Sequence, residues 1–345
     1  MEKQPRSFAL VRVHNGDTDV TVHLAECPDP QQERKQVFPG EVGDAGLDDE
    51  AFIASFILPG TQNKFETLRV LNPFPRDSRI DFFEEEHYYE IDGIRAPRSV
   101  TSMIHQFETP FDAEVVIKKM KLGPNWETKR MEYCTSDAEE MSDLEIKAKW
   151  ARVAEIASKR GTHMHWMIEM FLNGAVMHGP FPTEFKMFLE FYETFISARD
   201  IIPVRTEMSV FHCGLICAGQ IDLLARYSGT QDYVIIDWKR SKNIREFAYG
   251  RTLAAPFQHL PQANLATYTL QLNIYRYVLQ TEYGLRVVAL YLGVFHPDQA
   301  APRLVDIPIW DNEMELLVQH EITVHNCSYP MPSEHAPFRA DRYQA

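Results

Sequence analysis

Residues 219–242, with the sequence GQIDLLARYSGTQDYVIIDWKRSK, decide the fold of this chain. Two segments rich in β-branched and aromatic residues, 220–227 and 233–239, flank a short turn of Ser-Gly-Thr-Gln-Asp. Short apolar segments on either side of such a turn are typical of an antiparallel hairpin. We therefore expect two paired strands here.

The polar residues of this predicted hairpin fall at positions that bring charges together. Side chains alternate between the two faces of a strand, so Asp237 and Lys239 should share a face while Trp238 points into the opposite layer. If the register brings Asp222 beside Asp237, two carboxylates and an ammonium converge. Carboxylates that close repel each other unless a divalent cation lies between them. The hairpin thus predicts a metal site.

Four elements together carry a resemblance to a known family. The order Gly-x-x-Asp and then Asp-x-Lys in the hairpin resembles the PD-(D/E)XK nuclease superfamily. Upstream, residues 161–169 (GTHMHWMIE) are similar to the G-T-x-x-H-x-x-x-E helix of RecB-type nucleases, and downstream, residues 271–275 (QLNIY) match their Q-x-x-x-Y element. Residues 99–101 (SVT) are similar to the element that opens the mitochondrial genome maintenance exonuclease and its viral and protist relatives. Four elements in this order are far more specific than Asp-x-Lys alone.

The remaining segments agree with the fold that this resemblance implies. Strands predicted over 204–211, 215–227 and 233–239 form a meander, and a helix over 261–283 leads to the apolar strand 286–295. A near-continuous apolar strand after a helical crossover indicates a buried strand of a mixed sheet. We expect an α/β fold with a central mixed β-sheet flanked by helices, the restriction-endonuclease-like core.

The amino-terminal part predicts a small β-rich accessory region. Strands over 8–13 and 18–24 join through Asn-Gly, a strong hairpin turn, and the acidic stretch 25–50 is typical of a linker. We therefore divide the chain into an accessory module, residues 1–80, and a nuclease domain, residues 81–345. The acidic amino-terminal region could bind a protein partner.

A helix is predicted to bring the upstream residues to the site. Ser142 and Glu145 form a capping-box pattern for a helix towards residue 159, and Gly161 is predicted to open a second helix. Apolar residues recur at helical spacing after it: Met164, Met167, Ile168, Phe171 and Leu172. His165 and Glu169 lie at the border of this stripe, whereas His163 falls on another face.

The candidate ligands suit a hard divalent metal. Mg²⁺ and Mn²⁺ prefer oxygen ligands in an octahedral shell. Asp222, Asp237, the backbone carbonyl of Trp238 and the imidazole of His165 would supply four positions, and the imidazole favours Mn²⁺. Glu207, on the preceding strand, is a further candidate for a second metal or a water, and a surface position is about as good an interpretation of it.

The remaining candidates act on the reaction or on the substrate. With Asp222 and Asp237, we assign Lys239 to catalysis: it would orient or deprotonate the attacking water, or neutralise charge that develops on the phosphate. Gln271 and Tyr275 share a helix face, and the resemblance implies that they contact substrate phosphate or hold the catalytic groups, with Glu169 in support. A buried polar pair is the alternative interpretation.

Composition excludes several other classes. The five cysteines are irregularly spaced, which argues against a disulfide framework and for an intracellular, reducing compartment, and they lack the closely spaced trio that holds an iron–sulfur cluster in some RecB-type nucleases. The sequence contains no phosphate-binding loop of the kind that would predict a nucleotide cofactor. It also contains no apolar run long enough to predict a membrane span. The formal net charge of −14 argues against tight, non-specific DNA binding.

The function that these patterns favour is a metal-dependent DNA nuclease. Action as an exonuclease on DNA ends or single strands follows from the resemblance and not from the spacing of the residues. One alternative is a catalytically silent nucleic-acid or protein scaffold that retains the nuclease fold. Another is a restriction-type endonuclease, which would need a base-reading module.

Overall fold

The structure is a computed structural model that describes residues 66–135, 139–175, 177, 181–248 and 250–325. It also describes the backbone of two strands, β1 (Phe8–Asn15) and β2 (Asp19–Glu26). These strands pair antiparallel with Asn15 opposite Asp19, so the predicted pair of strands forms.

The remaining described residues form the following strands and α-helices. The strands are β3 (Ile80–Phe83), β4 (Tyr88–Ile91), β5 (Ile94–Arg95), β6 (Ile201–His212), β7 (Cys217–Tyr227), β8 (Asp232–Arg240), β9 (Arg286–Phe295) and β10 (Arg303–Ile307). The helices are α1 (Thr67–Leu71), α2 (Val100–His105), α3 (Ala113–Lys121), α4 (Trp126–Lys129), α5 (Asp143–Leu172), α6 (Thr183–Phe191), α7 (Asn264–Glu282) and α8 (Asp311–His325).

A mixed sheet forms the centre of the described part of the chain. Its five strands stand in the order β10-β9-β8-β7-β6. The pairs β6–β7, β7–β8 and β9–β10 are antiparallel. The pair β8–β9 is parallel and is connected through α7, because parallel neighbours need a crossover. The predicted meander and helical crossover are confirmed.

Helices cover both faces of this sheet. One apolar cluster joins α2, α7 and α8 to the sheet, through residues such as Val100, Leu270 and Met314. A second cluster joins α5 and α6 to the other face, through residues such as Ile168 and Phe188. The α/β fold with a mixed sheet between helices is therefore confirmed. Within the described residues, no helix is long and apolar enough to cross a membrane.

Helix α5 differs from the prediction in one respect. Its predicted start is confirmed, because the backbone N–H of Ser142 donates to Glu145 Oε2 at 2.7 Å and completes a capping box. The prediction that Gly161 opens a second helix is wrong, since α5 runs unbroken through Gly161 to Leu172. A glycine inside a helix costs only about 1 kcal/mol. The apolar stripe that begins at Met164 offsets that cost, because its residues are buried against the sheet.

Residues 66–98 lie against the end of the central sheet. Strands β3, β4 and β5 form a small antiparallel sheet, and Ile80 and Tyr89 pack against Phe211 at the end of β6. A buried ion pair of 2.8 Å joins Arg76 to Glu282 of α7. Residues 66–80 of the predicted accessory module thus contact the nuclease core. The boundary at residue 80 stays a prediction, and most of that module lies outside the described residues.

Candidate metal centre and nucleic-acid cavity

The candidate site lies where β7 and β8 separate. Their ladder ends at the pair Leu223 and Ile236, although both strands continue. At the next position, Asp222 Oδ2 accepts a hydrogen bond of 2.7 Å from the backbone N–H of Trp238. A carboxylate thus replaces the main-chain acceptor of the neighbouring strand, and the same residue, Asp222, lines a cavity.

Strand alternation places the charges of β8 as predicted. Lys239 Nζ and Asp237 Oδ2 lie 2.6 Å apart on one face of the sheet. Trp238 is buried on the other face, where its ring meets Phe188 and Phe191 edge-on. A ring contact that the sequence did not reveal completes this arrangement, since Lys239 Nζ lies 4.7 Å from the centre of the Tyr268 ring of α7.

His165 of α5 faces the two carboxylates across the cavity. Its Nε2 lies 3.0 Å from the backbone carbonyl of Trp238. A carbonyl can only accept, so Nε2 carries a hydrogen and donates it. The other ring nitrogen, Nδ1, lies 3.6 Å from both Glu207 Oε1 and Asp222 Oδ2. In the neutral ring that nitrogen presents a lone pair to two carboxylates, which is favourable only when a proton or a metal ion lies between them.

Glu207, the second carboxylate near His165 Nδ1, has an unusual backbone conformation. It lies within β6 with a φ of +44°, a left-handed conformation that costs about 1–2 kcal/mol for a residue with a side chain. The Gln220 side chain of β7 donates from Nε2 to the Glu207 carbonyl at 3.1 Å. Of the two interpretations of Glu207, a metal-site carboxylate and a surface residue, the geometry favours the first.

The described residues include one group that could hold a metal ion, formed by His165, Glu207 and Asp222. One ligand atom from each lies within 4.8 Å of the others. Asp237 is not part of this group, because its carboxylate pairs with Lys239. The mixture of one imidazole and two carboxylates fits a divalent cation.

Burial and charge shift the pKa values in this site in a consistent direction. Burial lowers the pKa of His165, but Asp222 and Glu207 outweigh it and raise the pKa to about 9. Burial raises the pKa of Asp237 to about 6 although Lys239 opposes it, and burial likewise raises the pKa of Asp222. For Lys239 burial is outweighed by Asp237 and Asp222, so the pKa rises. In the absence of a metal ion, protons on His165 and Lys239 therefore offset part of the negative charge of the site at neutral pH.

Gln271, Tyr275 and Glu169 lie together around the same cavity, as their predicted helix faces require. Tyr275 is buried and its hydroxyl bonds with the Gln271 side chain. Its ring packs so closely on β7 that a Cβ at Gly219 would lie 2.7 Å from Tyr275 Cε1. The glycine of the Gly-x-x-Asp element is thus explained by the tyrosine of the downstream element.

The cavity has a volume of about 380 Å³ and opens between the small sheet and the helices α5 and α7. It is lined by Phe82, Glu84, His87, Tyr89, Thr101, Gly161, Thr162, His165, Trp166, Glu169, Glu207, Gln220, Asp222, Gln271 and Tyr275. Sequence reasoning missed Phe82, Tyr89 and Gln220. Tyr89 is buried beside Glu207 and Asp222 and belongs to β4, far along the chain from the other elements. Local patterns carry no signal for that approach.

Comparison with known proteins agrees with this geometry. The family model of the PD-(D/E)XK nuclease superfamily matches residues 125–324, which is more than half of the chain. The chain belongs to the PD-(D/E)XK nuclease superfamily. The match contains the hairpin, the motif part of α5 and all of α7. PD-(D/E)XK nucleases use divalent metals, and their fold implies binding of nucleic acid.

Other comparisons add little to this assignment. One similar solved structure is the crystal structure of SSO0001, which is 13% identical to this chain. The aligned region covers 66% of this chain and 85% of the SSO0001 chain, with a TM-score of 0.22. No curated protein matches the chain in sequence.

Proposed function

We propose that this protein is a divalent-metal-dependent deoxyribonuclease of the RecB-type branch that acts as an exonuclease on DNA ends or single strands. The observation that carries the proposal is the proximity of two charged groups, one of which lines the cavity. His165, Glu207 and Asp222 form a cation-binding group, and the Asp237–Lys239 pair lies beside it on the adjoining strand. The order of the sequence elements supports the branch, and the superfamily match supports a nuclease.

The residues that would hold Mg²⁺ or Mn²⁺ are His165, Asp222 and Glu207, with Asp237 as a further ligand. The Trp238 carbonyl, predicted as a ligand, instead receives the hydrogen bond from His165 Nε2. When bound, the ion supplies polarisation of the scissile phosphate and a lowered pKa for a coordinated water. The hydrogen bond from His165 Nε2 to the Trp238 carbonyl fixes the ring, so that Nδ1 is directed at the carboxylates. Such a bond on the far nitrogen is the usual way to orient a ligating histidine.

Lys239 supplies positive charge in this proposal. Its contact with Asp237 and its raised pKa keep the side chain as an ammonium at neutral pH. An ammonium donates hydrogen bonds and cannot accept a proton. Of the roles predicted for Lys239, orientation of the attacking water and neutralisation of the charge on the phosphate are therefore favoured over deprotonation of that water.

The cavity favours a single strand or a frayed end as the substrate. Its volume of about 380 Å³ is that of a small-molecule pocket and leaves room for a few nucleotides at most. Several carboxylates line it, so phosphates would be repelled unless a cation neutralised them. Gln271 and Tyr275 on the α7 wall are proposed to contact the strand, with Glu169 in support.

The proposal includes two further predictions, on the cellular compartment and on a protein partner. The first is an intracellular, reducing compartment, which the odd number and irregular spacing of the cysteines support. The second is a protein partner for the acidic amino-terminal region, which lies mostly outside the described residues.

The proposal is tested with end-labelled substrates. Linear and circular DNA, each single-stranded and double-stranded, and a single-stranded RNA of matched sequence are incubated with Mg²⁺, Mn²⁺ or EDTA. We expect nucleotides or short products from linear single strands and ends, loss of activity in EDTA, and a steep fall in rate as salt rises. Efficient cleavage of covalently closed duplex circles would contradict the exonuclease assignment, and cleavage confined to RNA would contradict the assignment to DNA.

A further inference from the structure

Two glycines around the site are explained by neighbouring aromatic rings. A Cβ at Gly219 would lie 2.7 Å from Tyr275 Cε1. A Cβ at Gly293 of β9 would lie 2.8 Å from Trp238 Cε3. Real Cβ atoms do not approach other atoms so closely, so each glycine is needed for the packing of the protein itself.

Gly161 has no such explanation among the described residues. It lies inside α5, where glycine is less favourable than alanine, yet nothing described lies within 4 Å of the place that its Cβ would take. That open space belongs to the candidate cavity, because Gly161 is one of its lining residues. The protein thus accepts a weaker helix residue at a point where no described residue uses the space and a ligand could use it.

We propose that Gly161 forms a contact surface for the sugar–phosphate backbone of the substrate strand, next to the nucleotide whose phosphate reacts. Gly161 and His165 lie one turn apart on the same side of α5, a rise of about 6 Å. A strand held against Gly161 and the neighbouring Thr162 would therefore enter directly beside the proposed metal ligands. Gln271 and Tyr275 line the same cavity from α7. This inference rests on the proposed nuclease function and extends it to the path of the strand.

A hinge in α5 is the rival explanation. The helix changes from largely exposed residues before Gly161 to largely buried residues after Met164, so glycine could serve to let the two halves move. The two explanations differ in their dependence on side-chain size. Alanine and leucine both remove the backbone freedom of glycine, and both are strong helix formers, but only leucine fills most of the open space.

The test compares Gly161→Ala and Gly161→Leu in the full-length protein, with Val153→Ala as the matched control. Val153 is an exposed residue of the same helix and is not a lining residue of the cavity. Its replacement by alanine also improves helix propensity, so it reports what that gain alone does to cleavage. The measurements are melting temperature, Mn²⁺ affinity by calorimetry, and steady-state cleavage of a labelled single-stranded oligodeoxynucleotide.

We expect a graded loss of substrate use with an intact metal site. Both Gly161 variants should melt about 1–3 °C higher than the wild type, because helix propensity improves. Their Mn²⁺ affinity should be unchanged, while kcat/KM falls about tenfold for alanine and about a hundredfold or more for leucine. Val153→Ala should cleave like the wild type.

Two outcomes would overturn the inference while leaving the proposed function intact. Equal losses for alanine and leucine would identify a hinge, and wild-type kinetics in both variants would show that no strand passes this surface. If the wild type itself neither binds nor cleaves any nucleic acid, the proposed function fails, and the inference fails with it.

Discussion

The backbone N–H of Trp238 donates to the carboxylate of Asp222 at 2.7 Å, where the ladder between β7 and β8 has ended. This bond ties one of the proposed metal ligands to the strand that carries Asp237 and Lys239. The two strands thereby stay in register while the gap between them remains open. The catalytic geometry that we propose depends on this one side-chain bond more than on any main-chain pair.

We predict that Asp222→Asn abolishes the response of the protein to metal. The asparagine side-chain oxygen can still accept the hydrogen bond from Trp238, so the fold should persist, but the negative charge that a divalent cation requires is lost. Mn²⁺ should raise the melting temperature of the wild type and leave that of the variant nearly unchanged, because only a ligand that binds the folded state stabilises it. The exposed Asp298 gives the matched control, and Asp298→Asn should respond like the wild type. A wild-type response in Asp222→Asn would remove Asp222 from the ligand set.

We predict that Lys239→Arg is almost as damaging to cleavage as Lys239→Ala. Lys239 Nζ fits between Asp237 Oδ2 at 2.6 Å and the Tyr268 ring at 4.7 Å. A planar guanidinium is wider than an ammonium and presents its donors in a fixed fork, so it cannot take the same position. Single-turnover rates with saturating metal decide the matter. Substantial activity in the arginine variant would show that any positive charge suffices.

We predict that metal binding at pH 7 to 8 releases about one proton, which comes from His165. Its pKa of about 9 lies well above the ordinary value of 6.5, so the ring is charged without metal and must lose its Nδ1 proton to bind it. Apparent Mn²⁺ affinity should accordingly rise about tenfold for each pH unit up to about pH 9 and level off above it. Calorimetry in buffers of different ionisation enthalpy counts the released protons.

The neighbouring histidine provides the control for this experiment. His163 stacks on Trp166, with ring centres 5.9 Å apart, and is not a member of the cation-binding group. We expect His163→Ala to release protons like the wild type and His165→Ala to bind Mn²⁺ weakly, without that proton. Equal affinities in the two variants would mean that His165 is not a ligand.

We predict that Gly219→Ala destabilises the protein, in contrast to Gly161→Ala. The added methyl group would lie 2.7 Å from Tyr275 Cε1, and such overpacking costs about 1–3 kcal/mol. Displacement of Tyr275 should also lower kcat/KM, because this ring forms part of the cavity wall. Urea denaturation and cleavage assays measure the two effects. A free energy of unfolding equal to that of the wild type would show that the ring can move aside without cost.

Much of this site could be predicted because its elements are local patterns. Strand alternation places Asp237 with Lys239 and buries Trp238, and helical spacing places His165 at the edge of a buried stripe. The turn between the strands sets the register that aligns Asp222 with Asp237. Each of these rules acts over a few residues, so the sequence is sufficient for it.

The parts that could not be predicted depend on contacts between distant segments. Tyr89 reaches the carboxylates from a small sheet whose position is set by packing against the end of β6. The left-handed conformation of Glu207 is held by the Gln220 side chain, and neither residue reveals this partnership in the sequence. Gly161 resembles a helix start because glycine is a weak helix former. The buried stripe that follows it outweighs that propensity.

The most direct test of the account is the cleavage rate of a 5′-labelled single-stranded oligodeoxynucleotide by Asp237→Asn and the wild type, with Mg²⁺ and with EDTA. Asp237 belongs to the proposed ligand set and pairs with Lys239, so its carboxylate serves both halves of the site. We predict metal-dependent cleavage by the wild type and a rate at least about a thousandfold lower in the variant, whose circular dichroism spectrum stays native. Cleavage by Asp237→Asn at the wild-type rate would contradict the account. So would cleavage by the wild type that persists in EDTA.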